Sequence, residues 1–201
     1  MATVFPVLLN WLCALFLFGA LGSRPLTERS AANDAGTEDT CSRQVPPALQ
    51  DLIRKRFPSM RMPSSSDIAA ANRIGDLHDG GTGCTAVAEG DFDGDNLRDY
   101  AILLATKSSA GPTKLVVARR KGKGWSVQEL KVWTSGIQSL YVSKSPPGEY
   151  QMTEAIEKAT EPGEVEKLIA KHDAVLSGVF ESSAVLYALE GDRWLHVWIS
   201  D

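Results

Sequence analysis

Residues 90–104 read Gly-Asp-Phe-Asp-Gly-Asp-Asn-Leu-Arg-Asp-Tyr-Ala-Ile-Leu-Leu, and no other stretch constrains the fold as tightly. Asp91, Asp93, Asp95 and Asp99 place four carboxylates within nine residues, and the uncharged run 100–106 follows at once. Carboxylates so close repel one another unless a hard cation sits between them. A continuous apolar run reads as a strand buried on both faces. The chain must therefore pass from a charged, tightly turned loop straight into a core strand. The aspartates fall at relative positions 1, 3, 5 and 9, and Leu97 at position 7 can offer its backbone carbonyl. These are odd-numbered ligand positions of a compact calcium loop. Oxygen ligands without His or Cys select Ca2+ over zinc or copper. Gly94 lets the backbone wrap closely, and Asn96 stands where such loops usually place glycine. Asparagine tolerates left-handed backbone angles better than most residues. The alternative is an acidic hairpin turn without a metal, because Asp and Gly favour turns in their own right.

Segment 90–104 resembles the FG-GAP/VCBS-type calcium loops of integrin α-chain propellers and of many secreted bacterial proteins. Their pattern, Gly-Asp-Phe-Asp-Gly-Asp-Gly-x-x-Asp and then a hydrophobic strand, is matched except at Asn96. The resemblance implies a structural calcium ion held by the side chains of Asp91, Asp93, Asp95 and Asp99 and by the Leu97 carbonyl. The loop departs from an EF-hand, since position 12 is Ile102 rather than a bidentate Glu and a strand, not a helix, follows. It occurs once, with no internal repeat, whereas a propeller needs roughly four to eight four-stranded blades. The resemblance thus carries the loop and not the propeller. The chain is similar instead to small secreted single-loop proteins that end in an aromatic hairpin, here residues 193–201.

Residues 1–23 hold no charged side chain and are mostly apolar. They read as a signal peptide with a small-residue cleavage zone near Ala20-Leu21-Gly22, or as an uncleaved N-terminal anchor. The anchor stays open because Lys and Arg are missing ahead of the apolar stretch, which approaches membrane-spanning length. Asn10-Trp11-Leu12 before Cys13 are too bulky for a lipobox. Either way the chain is expected to be secreted or periplasmic, touching a membrane only through that segment. Residues 24–40 are polar and read as a flexible leader. With Cys13 lost, Cys41 and Cys84 remain, and an oxidising compartment favours a disulfide between them over two buried thiols.

Residues 41–201 are expected to form a single α+β domain: a mostly antiparallel β-sheet with one or two packed helices. Val45, Leu49, Leu52, Ile53 and Phe57 recur at helical spacing between Pro46-Pro47 and Pro58. Residues 63–83 look like a loop. Strands are expected at 85–89, 100–106, 114–119, 125–132, 137–142, 174–180, 184–189 and 194–199, with hairpin turns at 120–124 and Gly191-Asp192. Residues 152–170 fit a short helix or an irregular strand. On the last strand Trp194, His196 and Trp198 share one face and Leu195, Val197 and Ile199 the other, which predicts burial on both sides.

A hydrophobic fraction of 43% supports a real core, and a formal net charge of -4 gives no basic excess for nucleic acid. The basic run 119–123 reads as a solvated hairpin tip. The chain carries no Gly-x-Ser-x-Gly elbow or Ser-x-x-Lys motif, and Gly80-Gly81-Thr82-Gly83 lacks the Lys-Ser/Thr of a phosphate loop. His78, His172 and His196 are not at ligand spacing. His196 reads as a packing position, and His78 with Asp76 and Asp79 as an ordinary polar loop, with a second ligand group or a substrate contact as the alternative; Asp76, His78 and the aspartate loop could together form an acidic pocket. The expected function is an exported, calcium-stabilised binding domain for a protein or glycan partner. Its Trp-rich C-terminal hairpin is one candidate contact. The alternative is a small secreted or periplasmic hydrolase with its site near the loop.

Overall fold

The computed structural model describes residues 39–108 and 110–200. The proposed signal segment 1–23 and the leader up to residue 38 lie outside them. Helix α1 (Thr40–Arg43) is opened by Asp39, whose carboxylate accepts the Cys41 N–H at 2.9 Å and the Ser65 N–H at 2.8 Å. The last two residues of the expected leader, Asp39 and Thr40, thus cap and begin a helix. Helix α2 (Pro47–Arg56) starts where proline lacks no needed N–H and stops ahead of Pro58. Leu49 and Ile53, one turn apart, are its buried contacts.

After β1 (Met60–Arg61) comes α3 (Ala70–His78), inside the segment read as a loop. None of its residues is buried, and Ile74 and Leu77 are exposed. Its apolar side chains therefore face away from the core, and Gly75 within it and the glycine-rich run that follows give the segment a loop-like composition.

Strands β2 (Val87–Gly90), β3 (Asp99–Thr106), β4 (Thr113–Lys121) and β5 (Gly124–Trp133) join β1 in one antiparallel sheet. Its order is β1-β3-β4-β5, with β2 also on β3. Strand β3 is buried from Asp99 to Ala105, as its unbroken apolar run requires. The β4–β5 hairpin closes beyond the Lys121–Gly124 pair, with Gly122 at a φ of 56°. A strand was expected from residue 137, but a 3-10 turn (Ile137–Ser139) comes first and β6 (Leu140–Ser145) follows.

Strand β7 (Gly148–Gln151) pairs with β8 (Lys167–Ala170), so the ambiguous segment 152–170 is mostly turns that end in a strand. Strands β9 (Ala174–Val179), β10 (Ala184–Glu190) and β11 (Arg193–Ser200) complete a second antiparallel sheet, ordered β11-β10-β9-β6. Its β11 packs on both sides, although only Val197 is fully buried. Trp194 and Trp198 pack on the main core, while Val197, Leu195 and Ile199 face a smaller cluster with Leu168 and Ala170. The Val142 N–H donates to the Thr85 carbonyl at 2.8 Å, so β6 meets the residues leading into β2. The fold is therefore mostly antiparallel β-sheet with three helices among the described residues.

Cys41 and Cys84 sit at disulfide distance, with Cα atoms 5.2 Å apart, and tie α1 to the chain ahead of β2. Among the described residues, no helix is long and apolar enough to cross a membrane.

Candidate metal centre

Gly90 on β2 pairs with Asp99 on β3, so residues 91–98 close an antiparallel hairpin. The loop's own aspartates hold its shape. Asp91 accepts the N–H groups of Gly94 at 2.8 Å, Asp95 at 3.1 Å and Asn96 at 3.0 Å. Asp95 accepts the Leu97 N–H at 2.9 Å. Gly94 and Asn96 have φ values of 75° and 61°, the left-handed angles that let the chain curl round these side chains. A β-carbon on Gly94 would also collide with the His172 imidazole. Phe92 is 1% exposed and anchors the loop from beneath.

Asp99 is fully buried at the start of β3. Its carboxylate accepts the Phe92 N–H at 3.0 Å and the Arg120 N–H at 2.7 Å, linking loop, β3 and β4. Burial pushes the Asp99 carboxyl up to about 6; the two N–H donors oppose this, and the charges of Asp93 and Asp95 add to it.

Of the five residues expected as ligands, the structure brings three together. One carboxylate oxygen each from Asp91, Asp93 and Asp99 lies within 4.8 Å of the others. The Asp93 side chain is 4% exposed, and its Oδ1 is buried with no hydrogen-bond partner. Its Oδ2 contacts Lys121 Nζ and lies 3.6 Å from an Arg119 guanidinium nitrogen. Asp95 lies outside the trio, exposed, with its Oδ2 3.9 Å from Lys121 Nζ. Leu97 is also exposed, its N–H engaged by Asp95. Three converging carboxylates with an unsatisfied buried oxygen and only oxygen donors fit a hard divalent cation.

The basic run 119–123 is not simply a solvated tip, because Lys121 and Arg119 reach the loop from β4. Asp173 also approaches it, accepting the Asp91 N–H at 3.0 Å, and His172 covers Gly94. These four residues escaped sequence reasoning. Lys121 lies 28 residues from Asp93 and Asp173 lies 82 from Asp91, so only strand register could place them.

The other histidines stand elsewhere. His78 ends α3, exposed, with its Nδ1 3.2 Å from Asp79. Asp76 accepts the Gly83 N–H at 2.7 Å, and neither Asp76 nor Asp79 belongs to the trio. His196 lines a polar cleft between β5 and β11 with Gln128, Lys131, Glu161, Tyr187 and Trp194. Burial holds its imidazole below the ordinary value, against the opposing charges of Glu164 and Glu161. A lowered folded pKa means that stability is fully present above the unfolded value and is lost as pH falls from there through the folded one. Between about pH 7.5 and pH 5.5, His196→Gln should therefore lose less stability than the wild type in thermal melts. Equal losses would show that His196 does not carry this dependence.

Comparison with protein-family models, with curated proteins and with solved structures returns no match. The FG-GAP/VCBS resemblance therefore rests on residues 90–104 alone.

Proposed function

We propose that this chain is an exported binding domain whose fold is stabilised by a calcium ion at Asp91, Asp93 and Asp99. The observation that carries this reading is Asp93 Oδ1, buried without a hydrogen-bond partner on a side chain that belongs to the aspartate trio. Lys121 and Arg119 pair the other oxygen of that carboxylate, but a buried acceptor left without a partner is costly, and a cation would supply one. When bound, the ion neutralises the carboxylates and ties the loop to β3. The chain's own residues do the positioning. Asp91 sets the turn through three backbone N–H groups, and Asp99 fixes the loop to β3 and β4 through two. Asp95 and the Leu97 carbonyl join the ligand set by resemblance to the FG-GAP/VCBS loop.

Export is supported by the apolar, uncharged segment 1–23 and by the paired Cys41 and Cys84. A protein or glycan is the partner class. The cleft of Gln128, Lys131, Glu161, Tyr187, Trp194 and His196 offers donors, acceptors and aromatic rings for such a contact.

Calcium titration by isothermal calorimetry and thermal melts in calcium or chelator test the reading. One saturable site is expected, together with a higher melting temperature in calcium. At a hundredfold excess over Kd the stabilisation is about 2.7 kcal/mol. Asp93→Asn should lose both effects. No heat of binding together with identical melts would remove calcium from the account.

A further inference from the structure

We infer that Lys121 is a built-in competitor that sets both the affinity and the charge requirement of the aspartate site. The inference rests on the calcium reading and adds a determinant from a different strand. Lys121 is the last residue of β4 before the hairpin turn. Its ammonium contacts Asp93 Oδ2 and lies 3.9 Å from Asp95 Oδ2. It therefore occupies the negative charge that a bound cation would use.

Arg119 approaches the same Asp93 oxygen at 3.6 Å, but the two cations differ in freedom. The Lys121 side chain is 50% exposed, while that of Arg119 is 12% exposed. An ammonium on a flexible, solvated stem can withdraw into water at little cost, and a largely buried guanidinium cannot. Arg119 is thus a fixed part of the local charge, and Lys121 is the movable part.

The charge count then decides what the site accepts. Asp173 is offset by Lys144 at 3.5 Å, so the four aspartates against Lys121 and Arg119 leave two negative charges, which one divalent ion neutralises. A monovalent ion that displaces Lys121 exchanges one positive charge for another and gains little. A divalent ion gains a full charge at the same carboxylates. Lys121 accordingly lowers affinity for every cation while it favours divalent over monovalent ones.

The test is calorimetric calcium titration of the full chain at about 0.1 M ionic strength, where exposed charges more than about 10 Å apart are largely screened, for the wild type, Lys121→Met, Lys121→Arg and Lys123→Met. Lys121→Met should bind calcium about tenfold tighter, a gain of about 1.4 kcal/mol. Lys121→Arg keeps the charge and can grip the carboxylate through two N–H groups, so it should bind calcium no more tightly than the wild type. Lys123→Met removes the same charge from the adjoining turn and should also stay within about twofold, because exposed charges off the site are screened. Sodium chloride added at fixed calcium should weaken Lys121→Met more than the wild type, since the vacated charge becomes available to sodium. Unchanged or weaker calcium binding by Lys121→Met, with the wild type binding normally, overturns the role of Lys121 alone. An equal gain in Lys123→Met overturns it too, by reducing it to net charge. Absence of calcium binding in all four proteins would remove the calcium reading and this inference together.

Discussion

Replacing Cys41 and Cys84 with alanine should lower the unfolding free energy by about 4 kcal/mol. The two residues are 43 apart in sequence, and in the chain-entropy treatment a cross-link over such a loop removes that much freedom from the unfolded chain. The native side adds a reason. Helix α1 has four residues, far below the length at which a helix stands alone, so it depends on what holds it. Cys41 is 0% exposed and Cys84 4% exposed, so the double replacement also leaves a small void beside Val45 and Leu49 in the main core. Small domains have about 5–15 kcal/mol of stability in all, so the loss would be a large share of it. Urea unfolding of the oxidised wild type and of Cys41→Ala/Cys84→Ala measures it. The variant should also show a steeper denaturant dependence, because its unfolded chain is free to expand. A midpoint within error of the wild type would mean that the link contributes nothing.

In chelator, acidification should stabilise the wild type relative to Asp99→Asn by about 3 kcal/mol. Burial raises the Asp99 carboxyl from 3.8 in the unfolded reference to about 6 in the fold, with the Arg120 and Phe92 N–H groups working against the rise. Between those values the folded protein holds a proton that the unfolded chain has released. The unfolding free energy therefore grows as pH falls through about 6 and levels off near the unfolded value. The Asp99→Asn side chain would keep the shape but turn an amide donor toward one of two backbone N–H groups, so the variant should be less stable at every pH. The structural loss cancels in the comparison, because only the carboxyl titrates. Urea midpoints of both proteins between about pH 7.5 and pH 4 give the difference. Parallel profiles would mean that Asp99 is not a buried, reluctant acid.

The β3 run, the Gly191-Asp192 turn and the two-sided β11 were legible because strand periodicity and turn chemistry act over a few residues. The cysteine pair was legible by elimination, once Cys13 was assigned to the export segment. Helix α3 was hidden because Gly75 interrupts it and the Gly80-Gly81-Thr82-Gly83 run beside it gives the segment the composition of a loop. The β7–β8 hairpin was hidden because Pro162-Gly163 and a run of charged residues mask its second strand.

The aspartate loop divides along the same line. The sequence alone determined that a turn of carboxylates would precede a buried strand, because Asp, Gly and Asn at those spacings permit the backbone angles seen at Gly94 and Asn96. The tertiary structure alone decided that Lys121 and Arg119 arrive from β4 and that Asp173 reaches the Asp91 N–H. The physical reason is range. Local angles and periodicity are set by neighbouring residues, whereas contacts between residues 26 to 82 positions apart are set by strand register, which the packing of the whole core selects.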